Sequence, residues 1–309
     1  MAFLKAFGRY VPELVVDNAE LAARLECDAR WIFEVSGIAQ RRFAAADELV
    51  VDMAVAAAHD CLRRAALEAN EIGMLVVSSG SAEPRFPGPA ASVAQRLGCG
   101  PIPAWDVPLA SAGGLFGMSL ANAMAPRYGT VLVVAAEKMS ALAMREPLDR
   151  NVAILFGDGA GACLVSPHQG FAEISAEVLH SDGSFAGDLR AAWDTGLAMN
   201  GRTVILQAGR KLPAGIFEVL ASDGVSVEDV EVFLLHQANQ NLTDRVAKVV
   251  GVPVERFYSN IERYGNTSSA SMLIAAAEYF AEAPASRKPV VFAAFGAGFH
   301  WGAMLVRQA

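Results

Sequence analysis

Three short stretches carry side chains suited to carbonyl chemistry. The first is DVPLASAGG, residues 106–114, in which a short apolar lead ends at Ser111 and two glycines open a helix-like stretch. A serine at such a corner can act as a nucleophile, because free backbone N–H groups and the positive end of the helix dipole converge on it. A plain N-cap serine is the commoner occupant of the same position. The second is HQANQN, in which His236 follows the apolar run VFLL. A histidine at the carboxyl end of a strand can be a general base, a hydrogen-bond donor, or a satisfied structural residue. The third is YGNTSSAS, where the Asn266 amide can donate to a developing oxyanion or simply close a turn. A glycine-rich loop, FGAGFHWG at 295–302, can bring backbone N–H groups close to a ligand, or be a tight turn. Neither this loop nor GDGAGA at 157–162 places GxGxxG between a strand and a helix, so a nicotinamide cofactor is not supported. His59, His168, His180 and His300 read as structural or exposed, with His300 bordering the glycine loop.

Something must position these groups. Apolar, β-rich runs occur at 74–80, 103–108, 129–137, 151–166, 230–237 and 288–298, and residues 52–67 and 242–250 carry apolar side chains at helical spacing. Gly, Pro and Asn punctuate the joins, and no Pro- or Ser-rich linker separates independent modules. The chain repeats itself. The spacing from Val76 to Ser111 matches that from Leu234 to Ser268 within one residue, and the spacing from Ser111 to Val133 equals that from Ser268 to Val290. Generic βαβ spacing could give one such agreement; three elements agreeing in order and spacing favour a duplicated α/β unit, with halves at 1–166 and 167–309.

Composition sets outer bounds. Of 309 residues, 53% are hydrophobic and 19% charged, as in an ordinary globule, and 25 basic residues stand against 33 acidic ones. That balance argues against general nucleic-acid binding while leaving room for a local basic patch facing an acidic partner. No secretion signal or membrane-length apolar run is visible, and the four cysteines are scattered, which reads as reduced, buried thiols in the cytoplasm. The five histidines are dispersed and offer no metal-site spacing.

Taken in order, DVPLASAG, FGDGAGA, HQAN, YGNTS and FGAGFHWG resemble the 3-oxoacyl-[acyl-carrier-protein] synthase III family of the thiolase superfamily. The likeness extends to GRYVPELVVDNAEL and WIFEVSGIAQRR, and so spans nearly the whole chain. It implies a five-layer αβαβα sandwich of two similar halves, usually a homodimer. It implies no permanently bound cofactor and no metal, with acyl-CoA as substrate and acyl-carrier protein as partner. In the family a cysteine takes an acyl group from acyl-CoA, and a His and an Asn stabilise charge while a malonyl thioester loses CO2. By motif match these fall on Ser111, His236 and Asn266. The oxyanion hole falls on the N–H groups of Ser111 and the glycine loop, Gly296, Ala297 and Gly298, where alanine stands at the central position and disfavours positive φ. Trp31 and Arg150 match a pair that stacks the adenine of CoA. Phe86 matches an aromatic reaching into the partner subunit's acyl pocket, and Phe156 belongs to the substrate site. Two basic positions of the family are replaced by Val35 and Asn241. Arg210, Lys211, Arg245 and Lys248 could supply a carrier-protein patch, or be ordinary solvated surface.

The family cysteine is Ser111 here, and that changes the chemistry. A helix N-terminus can bring a thiol, with pKa ~8.5, into the physiological range, but it cannot do so for an alcohol. Serine needs a base as it attacks, and His236 is the candidate the motifs place nearby. Four explanations stay open: a native serine in an acyl-transferring enzyme, an engineered replacement of the nucleophile, an enzyme that hydrolyses or passes acyl groups to a heteroatom, and a non-catalytic partner subunit.

Overall fold

The runs MLVVS, VLVVAAEK and VVFAAFG are buried on both faces along almost their whole length, so each must lie in a sheet covered on both sides. The computed structural model describes residues 2–84, 86–192, 196–282 and 286–308. In chain order the elements are β1 (Phe3–Tyr10), β2 (Leu14–Asp17), α1 (Asn18–Leu25), α2 (Ala29–Ser36), β3 (Gln40–Phe43), α3 (Val50–Ala65), β4 (Met74–Ser78), α4 (Ala90–Leu97), β5 (Ala104–Val107), α5 (Gly113–Tyr128), β6 (Val131–Lys138), α6 (Ser140–Ala143), α7 (Arg150–Ala153), β7 (Asp158–Ser166), β8 (Ala172–Ser181), β9 (Leu189–Ala191), β10 (Leu197–Met199), α8 (Gly201–Ser222), β11 (Val232–Leu235), α9 (Gln240–Val250), β12 (Phe257–Tyr258), α10 (Ile261–Tyr264), α11 (Ser271–Glu282), β13 (Val290–Gly296) and β14 (His300–Gln308).

The main sheet runs β12-β11-β13-β14-β8-β1-β7-β6-β4-β5. Reading inward from either edge gives the same plan. A central strand lies parallel to its two neighbours (β4 with β5 and β6; β11 with β12 and β13), followed by two antiparallel pairings. The two sets meet where β1 pairs with β8, Phe3 opposite Glu173. The chain is therefore built from two equivalent five-stranded halves.

Side-chain alternation explains the layers. Val76 and Val133 face one way and meet Leu115 and Met118 of α5, Leu273 and Ile274 of α11, and Leu234, Val290 and Phe292 of the other half. Leu75, Val77 and Leu132 face the other way, onto Met53 and Ala57 of α3 and Val93 of α4. In the second half, Phe233, Leu235 and Val291 face Ile216 and Val219 of α8 and Val246 of α9. Helices α5 and α11 thus form the central layer between the two five-stranded halves of the sheet, with helices outside both.

The structure redraws one run read as β-rich. Residues 151–166 are not one strand: Asp149 caps a helical turn by accepting the Asn151 N–H, and the strand begins only at Asp158.

A buried charged residue interrupts the apolar pattern of β6. Glu137, near the end of β6, has no exposed surface. Its carboxylate accepts hydrogen bonds from Ser81 Oγ at 2.5 Å and the Gly80 N–H at 3.0 Å on the first half. It also accepts from Ser269 Oγ at 2.7 Å and Ser268 Oγ at 3.0 Å on the second. Burial pushes its pKa up, and the serine donors pull it back. Glu137→Ala strands several buried donors at once, so it should cost on the order of 3 kcal/mol or more of unfolding free energy. Urea denaturation measures this, and a loss under about 1 kcal/mol would show that the cluster does not hold the halves together.

Candidate active site

Ser111 lies in the turn between β5 and α5 with φ of 63°. The N-cap of α5 is Ala112, not Ser111, so the cap reading of this serine does not hold. Instead the Ala112 N–H reaches back to the Ala110 carbonyl at 2.7 Å, closing a three-residue turn with Ser111 at its tip. A non-glycine residue in this conformation costs about 1–3 kcal/mol, and the surroundings must enforce it. Two contacts do so. The Ser111 N–H donates to Ser268 Oγ at 3.0 Å. Gly296 presses its backbone against the elbow: a Cβ there would sit 2.2 Å from the Ala110 carbonyl and 3.0 Å from Ser111 Cβ. Only glycine fits that approach.

Ser268 is the matching residue of the second half, and it too has positive φ, 48°. Its hydroxyl accepts from Ser111 N–H and donates to Glu137, so the elbow, its counterpart and the buried carboxylate form one chain of hydrogen bonds. The spacing repeat marked this position, but nothing in the sequence gave Ser268 or Glu137 a role. The only available signal was a glutamate following the apolar run VLVVAA.

His236 follows β11 and is buried. Its Nδ1 lies 2.6 Å from Ser271 Oγ, at the start of α11, and the same hydroxyl accepts the Gln237 N–H at 3.0 Å. Burial drives the ring's pKa down to about 4, opposed by the Ser268 backbone. The ring is therefore neutral at pH 7. It is well suited to hydrogen bonding and is a weak base. Asn266 is fixed by its neighbours. The Ser268 N–H can only donate, so it sets the Asn266 amide oxygen on that side at 2.9 Å and leaves the amide nitrogen near the Ala238 carbonyl at 3.5 Å. The Asn266 backbone pairs with the 155–157 segment on both sides of Phe156.

Ser111, His236, Asn266, Phe156 and Gly296 line one cavity, whose walls are otherwise mostly apolar, including Leu155, Met199, Ala208 and Leu242. A second chamber opens on another side of Ser111 and is lined by Phe156, Ala297, Gly298 and His300 among others. His300 is thus not a merely peripheral histidine. Ala297 does not take positive φ; Gly298 does, at 138°, so the alanine fits the loop without strain. Because the Ser111 N–H is engaged by Ser268 Oγ, receiving an oxyanion there requires that bond to be shared or lengthened. Cys61 and Cys163 are fully buried, with thiol pKa values raised by desolvation, and line neither cavity.

The outer residues fall into three groups. Arg150 lies over the Trp31 ring, 5.8 Å from its centroid. Asn241 donates to the Glu34 carbonyl and Asn239 to the Val35 carbonyl, tying α9 to the end of α2, the helix that carries Trp31. Arg210, Arg245 and Lys248 are exposed on the adjacent helices α8 and α9. Lys211 is turned away, bonded to Asp182 at 3.2 Å with its ammonium 3.8 Å from the Trp301 ring centroid. Phe86 is 89% exposed, on the loop between β4 and α4. Among the described residues no helix is long and apolar enough to cross a membrane.

Residues 105–183 match the 3-oxoacyl-[acyl-carrier-protein] synthase III family and residues 220–308 match its C-terminal counterpart. The beta-ketoacyl-[acyl-carrier-protein] synthase III of Ehrlichia canis is 34% identical, covering 99% of each chain. Among solved structures, the 3-oxoacyl-[acyl-carrier-protein] synthase III of Aquifex aeolicus superimposes with a TM-score of 0.94 at 32% identity, over 99% of this chain and 100% of that one. The priming beta-ketosynthase of the R1128 polyketide pathway superimposes with a TM-score of 0.90 at 30% identity, over 100% and 96%.

The burial of His236 makes a direct prediction. Its folded pKa lies below the unfolded value of ~6.5, so its contribution to stability is complete above ~6.5 and is lost as pH falls toward 4. An NMR titration of the ring should show it neutral through pH 5.5, with protonation only near pH 4. A midpoint near ~6.5 would mean that the ring is solvated.

Proposed function

The chain belongs to the 3-oxoacyl-[acyl-carrier-protein] synthase III family and is an acyl-transferring enzyme of fatty-acid- or polyketide-type biosynthesis; from that premise we propose that Ser111 is its acyl acceptor and that His236 and Asn266 drive decarboxylation of a malonyl-type thioester. The observation that carries this reading is the convergence of the strained Ser111, the neutral His236 and the oriented Asn266 amide on one cavity.

In loading, Ser111 Oγ attacks the acyl-CoA carbonyl as the neutral His236 ring takes its proton, a C–O bond forms, the C–S bond breaks, and the proton passes to the departing CoA sulfur. The carbonyl oxygen is received by backbone N–H groups of the elbow and of Ala297. In the second step the malonyl C–CO2 bond breaks and the electron pair is delocalised onto the thioester oxygen. A neutral imidazole N–H and the Asn266 amide N–H stabilise that oxygen without themselves carrying charge. The resulting carbanion attacks the acyl carbon, a C–C bond forms, the C–Oγ bond breaks, and Oγ takes a proton from water to restore Ser111. A serine oxyester resists this attack more than a thioester does, so loading is the easier half and condensation the harder.

CoA enters from the side of Trp31 and Arg150, where α9, tied to the end of α2, lines the apolar cavity. The exposed cations Arg210, Arg245 and Lys248 provide a face for acyl-carrier protein, with Lys211 held back by Asp182. We further infer a cytoplasmic homodimer. Supporting this, edge strand β5 presents Trp105, 42% exposed, and Phe86, which the family match assigns to a partner's acyl pocket, protrudes at 89% exposure.

Two measurements test the reading. Intact-protein and peptide mass spectrometry after incubation with acyl-CoAs should place an adduct on the Ser111 peptide that disappears in Ser111→Ala; an adduct on a cysteine refutes it. His236→Ala and Asn266→Ala should each slow CO2 release from malonyl-CoA by about two to three decades, the cost of one preorganised donor. Unchanged release in either variant would remove that residue from the mechanism.

A further inference from the structure

The second chamber at Ser111 is lined apart from His236 and Asn266, so on the reading above it is left for the acyl chain itself. Its walls are Met139, Leu142, Phe156, Leu189 and Leu197, with the Ser111 elbow and the Ala297–Gly298 backbone at the reacting end. These suit a chain of methylenes. Two further side chains do not. Arg190, on β9 between Leu189 and Ala191, and His300, at the start of β14, line the same chamber. No carboxylate is among the described residues lining it, and among the described residues Arg190 has no ion-pair partner.

His300 is held in place. Its Nδ1 lies 2.7 Å from Ser181 Oγ, its ring meets Phe116 edge-on at 5.6 Å, and its Nε2 side packs so closely on Gly298 that a Cβ there would lie 2.4 Å from it. The chamber therefore combines an apolar wall, a fixed imidazole and one guanidinium. A purely alkyl acyl chain would gain nothing from the guanidinium and would cost it hydration. A carboxylate at the end of a short chain would be matched by it in charge and in two-pronged geometry.

We propose that the acyl group loaded on Ser111 is a short ω-carboxyacyl group whose terminal carboxylate is bound by Arg190, with His300 as a second polar contact. This rests on the reading of Ser111 as acyl acceptor. With the adenine end of CoA at Trp31 and Arg150, as proposed above, its phosphates do not compete for Arg190.

The test compares succinyl-CoA with 4-methylpentanoyl-CoA, whose isopropyl end has nearly the shape of a carboxylate without its charge. Binding is measured calorimetrically to Ser111→Ala, so that it does not depend on acyl transfer. Succinyl-CoA should bind at least about tenfold more tightly, which corresponds to about 1.4 kcal/mol. The preference should vanish in Ser111→Ala/Arg190→Met, persist in part with Arg190→Lys, and fall several-fold with His300→Leu. Arg190 is exposed on a surface strand, so its replacement leaves the core untouched. Equal or tighter binding of 4-methylpentanoyl-CoA, an unchanged ratio in Arg190→Met, or no binding of either thioester overturns the proposal. Failure of the acyl-acceptor reading shows separately, as absence of any adduct on Ser111 in the unaltered protein.

Discussion

A buried carboxylate with no cation beside it is an expensive thing to keep, and Glu137 is kept only because donors from both halves of the molecule close around it. Remove either half and half of those donors go. The cluster links β6 and the β4 loop to the start of α11, and through Ser268 it grips the backbone N–H of Ser111. The strained turn at Ser111, the placement of Ser268 and the orientation of Asn266, whose amide oxygen is fixed by the Ser268 N–H, are all consequences of that grip.

The two halves start from the same plan and diverge at the residues that meet in the site. Ser111 and Ser268 occupy equivalent corners, both at positive φ and both leading into a central helix. Ser111 lines both cavities; Ser268 borders only the second and turns its hydroxyl inward, onto Glu137. The same division applies at the strand ends. The second half contributes His236 and Asn266, while the first supplies the elbow. Neither half holds a complete set of groups.

Much of this was legible in the residues. The repeat in spacing gave the two-half architecture, and the ordered motifs located Ser111, His236, Asn266 and the glycine loop. What escaped were features that depend on contacts distant in sequence. Ser111 looked like a cap because local pattern cannot show a positive φ enforced by Gly296 and Ser268. The helical turn at Arg150–Ala153 lay hidden inside an apolar run. Lys211 looked as free as Arg210, yet neighbouring residues on a helix point about 100° apart, and Lys211 falls on the side of Asp182 and Trp301. His300 looked peripheral because only the folded loop brings it to the chamber wall.

The approach of Gly296 to the elbow bears on how the chain folds. Ser111 and its clamp Ser268 are separated by 157 positions, and the glycine that seals the turn comes later still, at the end of β13. During synthesis the serine emerges long before the residues that bend its backbone, so the first half leaves the ribosome with this corner relaxed. Closing so distant a contact is among the slow, non-local steps of folding. The bend at Ser111 thereby waits until nearly the whole polypeptide has been made and docked.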